Sequence, residues 1–149
     1  MLRQVDGADR TTDEVTGRDA AVVAEFRANA GRVGGMFAGA PIVLLTTTGA
    51  RTGIRRATPL IALPMGERLY VFASAGGSAR HPAWFHNLVA HPNVVVEFGA
   101  RTFSATARVI EGIERERVLR AHIVRRPQFA RYLAATSRTI PVVELTCAG

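Results

Sequence analysis

IVLLTTTGARTGIRRATPLIAL, residues 42–63, reads as two β-strands and the turn between them. Ile42, Val43, Leu44 and Leu45 run into three threonines. β-Branched residues suit a pleated, half-buried surface, and a run this short is bounded as a strand, not a helix. Gly49 ends it. Residues 56–63 form a second strand, and Gly49-Ala50-Arg51-Thr52-Gly53 supplies the reversal of a hairpin.

Upstream, residues 1–15 are polar with mixed charges and offer little to bury, so a flexible N-terminal arm is expected there and one domain over residues 16–149. Asp19 caps a helix over residues 20–30, with Val22, Val23 and Phe26 at helical spacing and Gly31, Gly34 and Gly35 closing it. Downstream, residues 68–74 form a third strand, broken by the loop Ala75-Gly76-Gly77-Ser78. His81-Pro82 opens and His91-Pro92 closes a helix. Residues 94–98 and 102–110 are strands, the second alternating with Phe103, Ala105, Ala107 and Val109 on one face. Residues 111–125 form an amphipathic helix with Val118, Leu119, His122 and Ile123 inward, and with Glu111/Arg115 and Glu116/Arg120 as pairs outside. Residues 129–136 are a short segment, and 141–146 a last strand. Six short strands with single helical insertions exclude a βαβ parallel sheet. They predict an α+β fold, a mainly antiparallel split β-barrel with an N-terminal helix.

Composition bounds the function. A chain of 149 residues with 48% hydrophobic and 21% charged residues folds around its own core. No signal-peptide core or membrane-length apolar run is present, so a cytoplasmic location is expected. Cys147 alone can form neither an intrachain disulfide nor a cysteine zinc site. The net charge of +7 rests on 19 arginines and no lysine, and favours anionic partners. Nucleic acid is not expected, because the arginines are dispersed and not interleaved with aromatics. Nor is a metal: His81, His86 and His91 are five apart, about 140° of helical rotation each, and cannot converge.

Two loops carry candidate chemistry. The hairpin gathers Thr48, Thr52, glycine amides, Arg51, Arg55 and Arg56 within nine residues, a set suited to phosphate or carboxylate; a solvated basic tip is the competing reading. Ser74-Ala75-Gly76-Gly77-Ser78 lies between a strand and a helix N-terminus, where anions also bind. With no nucleophile motif and no carboxylate pair, the chemistry is expected from a cofactor.

The strings LLTTTGARTGIRRATPL, ASAGGSARHPAWFHNLVAHPNVVVEFG and TSRTIPVVELT together resemble the deazaflavin-dependent nitroreductase family of actinobacteria, over about residues 40–146. The resemblance implies a split barrel, a possible homodimer, coenzyme F420 as cofactor, and hydride transfer to an apolar acceptor such as a quinone, an enone or a nitroaromatic. By position it places the cofactor tail on Arg51, Thr52 and Arg56, beside Ala50. It brings Ala57, Thr58, Pro59, Phe72, Ala73, Ser74, Ala75, Gly76, Gly77, Ala83, Trp84 and Asn87 around the rest of the cofactor. Tyr132 and Ser74 are the candidate donors to the developing anion, and the N-terminal helix is expected to lid the acceptor site. Where the family carries several pocket tyrosines, this chain has Arg126, Phe129 and Tyr132. The alternatives are an FMN-dependent oxidase or reductase on the same barrel, FMN being the less favoured cofactor, and a non-catalytic carrier of deazaflavin or lipid; contact with a membrane surface has no support in the sequence.

Overall fold

A computed structural model describes residues 19–148; the arm expected over residues 1–15 lies outside them. Strands β1 (Ile42–Thr48) and β2 (Arg55–Met65) form the expected hairpin, with Thr48 opposite Arg55 and Ile42 opposite Ile61. Every residue of β1 from Ile42 to Thr47 is buried, which explains why its sequence does not alternate. Val43 and Leu45 face the barrel interior, while Ile42 and Leu44 pack against Val23 and Phe26 of α1 (Asp19–Ala28).

The remaining strands are β3 (Arg68–Phe72), β4 (Asn93–Phe98), β5 (Arg101–Ile110) and β6 (Val142–Cys147). They close a barrel in the order β1-β2-β3-β6-β5-β4, with every pair antiparallel. Helix α2 (Ala83–Ala90) sends Trp84 and Leu88 into the same core as Val71, Val96 and Phe103. Helices α3 (Gly112–Arg125) and α4 (Phe129–Ala135) cover Leu63, Tyr70, Phe72 and Ile110. Among the described residues no helix is long and apolar enough to cross a membrane.

Three local expectations fail. The inward alternation of β5 stops at Ala107: Val109 is exposed, and Ile110 turns in beneath α3. Neither the Glu111/Arg115 nor the Glu116/Arg120 side-chain pair forms. Arg115 instead donates to the carbonyl of buried Ile140 at 2.8 Å and pairs with its neighbour Glu116, because exposed i,i+4 pairs are weak enough for either contact to displace them.

The barrel is split where β2 changes partners. Residues 55–61 of β2 pair with β1, and only residues 62–65 pair with β3. Beyond Val71, β3 continues along β6, with Phe72 opposite Val142 and the Ala73 N–H on Pro141 O. The β3-facing edge of residues 55–61 therefore has no strand beside it. Ala62 donates its N–H to Pro41 on the β1 side, so strand alternation points the backbone nitrogen of position 59 into the split. Proline there leaves no N–H to satisfy.

Candidate cofactor and acceptor site

A cavity of about 320 Å³ occupies the split. Pro59, Leu60 and Ile61 form one lip and Phe72, Ser74, Ala75 and Gly76 the other. Trp84, Phe37, Phe129 and Tyr132 give aromatic walls, and His122, Arg126 and Gln128 the polar side. Such a slot suits flat rings. Trp84 is only 7% exposed, so it is at once a core indole and a cavity wall.

The Ser74–Ser78 lip is held in an unusual backbone form. Ala75, Gly76 and Gly77 have φ of 47°, 65° and 84°, the left-handed region that glycine enters freely. At Gly77 a Cβ would stand 3.0 Å from Ala135 Cβ and 3.3 Å from Tyr132 Cα, so the absent side chain lets the loop seat against α4. Arg138 clamps the loop from below. Its guanidinium donates to Ser74 O at 2.8 Å, Ala73 O at 3.1 Å and Ser78 O at 2.9 Å, and meets His81 Nδ1 at 2.8 Å. Arginine has no acceptor, so His81 accepts through Nδ1 and carries its proton on Nε2. Burial first, then the charge of Arg138 and the neighbouring His86, holds the His81 pKa below the ordinary value.

A second cavity, about 390 Å³, lies over the hairpin, lined by Gly49, Ala50, Arg51, Thr52, Ile54, Arg56, Ala83, His86 and Asn87. It shares β2 and α2 with the first. Arg56 and Pro59 are three residues apart, roughly 10 Å along a strand. Asn87 fixes the turn to α2: its Oδ1 accepts the Ala50 N–H at 3.0 Å, and its Nδ2 reaches Thr47 Oγ1 at 3.5 Å. Thr52 Oγ1 accepts the Ile54 N–H at 3.1 Å and fills the space that a side chain at Gly49 would need. Among the described residues no carboxylate lines either cavity.

The residues expected from the sequence thus separate into two groups. Ala50, Arg51, Thr52, Arg56, Ala83 and Asn87 border the hairpin cavity, and Pro59, Phe72, Ser74, Ala75, Gly76, Trp84 and Tyr132 the split. Ala83 and Asn87, expected around the ring, stand with the hairpin. Ala57, Thr58, Ala73 and Gly77 line neither cavity: Ala57 and Ala73 are sealed in the barrel wall, and Thr58 lies in the β1 ladder opposite Leu45. Among the described residues the N-terminal helix, expected as a lid, does not line the cavity: α1 is packed on β1 and β2, and Phe37 from the segment after it reaches the lining. Sequence reasoning missed Leu60, Ile61, Phe37, Gln128 and the Arg138 clamp. Arg138 bonds partners 57 to 65 positions away, and no local pattern signals that.

His122, expected as an interior residue, stacks on Phe72 with ring centroids 4.0 Å apart and meets Phe129 edge-on at 4.7 Å. It is 3% exposed, and its Nδ1 has no hydrogen-bond partner. Burial, reinforced by the charges of Arg126 and Arg125, pushes its pKa down to about 4, so it is neutral at pH 7.

A flat aromatic slot beside an arginine-bearing turn matches a planar ring with an anionic tail, and an antiparallel split barrel offering both defines a flavin-type redox protein. The donor set also fits a deazaflavin, with guanidinium groups and the Thr52 hydroxyl for its phosphate and glutamates. The model of the F420H(2)-dependent quinone reductase family matches residues 18–146, and the chain belongs to that family. An F420H(2)-dependent quinone reductase of Mycobacterium tuberculosis (strain ATCC 25618 / H37Rv) is 38% identical over 125 residues, which cover 81% of this chain and 84% of the relative. A solved F420-H2 dependent reductase (FDR-A) is 40% identical with a TM-score of 0.65, covering 70% of this chain and 93% of that one. Another solved chain, described as a domain-swapped dimer, is also 40% identical, with a TM-score of 0.66 and coverage of 70% and 79%. The protein is an oxidoreductase dependent on reduced F420, with a small-molecule quinone as acceptor. These matches do not favour the FMN and carrier alternatives.

Proposed function

We propose that the split cavity seats the deazaflavin ring against the acceptor while the hairpin holds the anionic tail on Arg51, Thr52 and Arg56. The observation that carries this reading is the division of the lining: an aromatic slot at the split and a hairpin turn lined by Arg51, Thr52 and Arg56, joined along β2 and α2. F420H2, when bound, supplies the hydride that converts a quinone to its hydroquinone. The protein's part is positional and electrostatic. Asn87 keeps the hairpin in register, and Trp84 with Phe72 and Phe129 keeps water from the ring faces. Tyr132, 38% exposed, lies within reach of both solvent and cavity, so its hydroxyl can donate to the oxygen that gains charge and recover its proton from water. Ser74 offers a second hydroxyl, on the lip that seats against α4.

The same arrangement accommodates enones and nitroaromatics, which also gain charge on oxygen. Residues 16–149 are read as one domain: among the described residues the barrel, its helices and the loops between them together supply the lining of both cavities. A phosphorylated, anionic donor does not cross membranes, which supports a cytoplasmic setting, and the similar domain-swapped dimer supports a homodimer. The test is oxidation of F420H2 by menadione followed by absorbance, in wild type, Tyr132→Phe and Ser74→Ala. Tyr132→Phe is expected to lower kcat at least tenfold with little change in F420 affinity. Absence of turnover in wild type overturns the functional reading; unchanged kcat in both variants overturns the roles of Tyr132 and Ser74.

A further inference from the structure

The polar side of the split cavity holds groups that the hydride transfer above does not use. Arg126 follows the last turn of α3, its N–H on His122 O at 2.8 Å, and its side chain lines the cavity four positions after His122. Its Nε is buried without a hydrogen-bond partner, as is His122 Nδ1. No ion pair takes up Arg126 among the described residues, and the cavity lining contains no aspartate or glutamate. A guanidinium next to aromatic walls, unpaired and partly shut off from water, is costly unless something neutralises it. Nε itself is closed to the cavity, as Arg115 Nε is elsewhere in the fold, so the partner of Arg126 comes from what enters the cavity and meets the outer nitrogens of its guanidinium. It must be an acceptor of hydrogen bonds, because guanidinium only donates, and its match in charge and planarity is an oxyanion.

Resting on the placement of the acceptor in the split cavity, we propose that Arg126, with His122 beside it, forms an oxyanion corner, and that the preferred acceptors are planar quinones bearing a carboxylate or ionised hydroxyl at their rim. The aromatic walls hold the ring and the corner fixes which edge faces α3. Neutral quinones still enter, but with fewer contacts and a less defined orientation.

The experiment uses a 1,4-naphthoquinone carrying a propionic acid side chain and its methyl ester, which share a ring of nearly equal electrophilicity and differ in charge. Trp84 is the single tryptophan and lines the cavity, so quenching of its fluorescence reports binding to the cofactor-free protein. Turnover with F420H2 is measured in parallel. The acid is expected to bind about tenfold more tightly than the ester and to show the gain in KM more than in kcat. Arg126→Gln should bring the acid-to-ester ratio close to one, and Arg126→Lys should restore part of it, since a point charge remains without the planar fork. Equal binding and turnover of acid and ester by wild type overturns the oxyanion corner while leaving the quinone reductase reading intact. An unchanged ratio in Arg126→Gln with weakened F420 binding also overturns it, by assigning the guanidinium to the cofactor. Failure of both compounds to quench Trp84 overturns the corner together with the placement of the acceptor in this cavity, whereas loss of F420H2 turnover with both compounds strikes at the functional reading itself.

Discussion

Replacing Arg138 with methionine removes four contacts and nearly no volume. Three of them, to Ala73 O, Ser74 O and His81 Nδ1, lie in partly buried surroundings, and the fourth, to Ser78 O, is exposed. A hydrogen bond to a charged group is worth about 1.5–3 kcal/mol, but water can rehydrate part of the freed lip, so the three buried contacts together give about 3 kcal/mol. In a domain of this size that is a fall of roughly 10 °C in Tm. Because Ala75, Gly76 and Gly77 sit in left-handed backbone that only local bonds hold, the loss concentrates in the loop lining the cavity. Turnover with menadione should therefore fall more than F420 affinity, since the hairpin cavity does not include this loop. Urea unfolding and steady-state kinetics read the two effects. Arg138→Lys should recover less than half of the stability, because one ammonium cannot address four acceptors spread around a planar fork. A stability loss under about 0.5 kcal/mol in Arg138→Met, with unchanged kcat, would show that the clamp holds nothing.

Arg51→Ala and Arg56→Ala should each weaken F420 binding by roughly 10- to 150-fold in fluorescence titrations while leaving the fold intact, and changes within about twofold would remove the hairpin from the cofactor site. His122 is neutral in the folded protein and has a pKa near 6.5 when unfolded, so its stabilising effect is complete above about pH 6.5 and is lost as pH falls toward 4. The gap corresponds to roughly 3 kcal/mol, to which His81 adds in the same direction. His122→Phe should flatten that part of the stability profile in urea titrations from pH 7 to 4, and an unaltered slope would mean that His122 is protonated in the fold. Gly77→Ala places a methyl group against Ala135 and Tyr132 at a φ of 84°, so it should cost about 1–2 kcal/mol and lower kcat by moving α4; wild-type kinetics in this variant would separate Tyr132 from catalysis.

How far the sequence carried depended on the range of each interaction. The β1–β2 hairpin was legible because its signals, an apolar run, three threonines and a glycine-bounded turn, are local and adjacent. The same holds for α2, which two His-Pro pairs bracket, and for the arginines of the turn, whose chemistry needs no partner to be recognised. The motif resemblance added the cofactor and named many of the residues that line the split cavity. Tertiary structure alone decided that β2 abandons β3 above Ala62, since strand pairing over that distance leaves no mark on either strand. That single change of partner opens the cavity, explains Pro59, and brings Phe37, Leu60 and Ile61 to a site that no spacing rule assigned to them. The fold also sets Ala83 and Asn87 apart from the split cavity, because their helix presents one side to the hairpin while Trp84 enters the barrel. Arg138 and Arg126 look alike in sequence, two arginines near the ends of short elements. Only the folded chain gives one of them four partners and leaves the other's Nε buried with none, because those partners come from segments that meet through barrel closure.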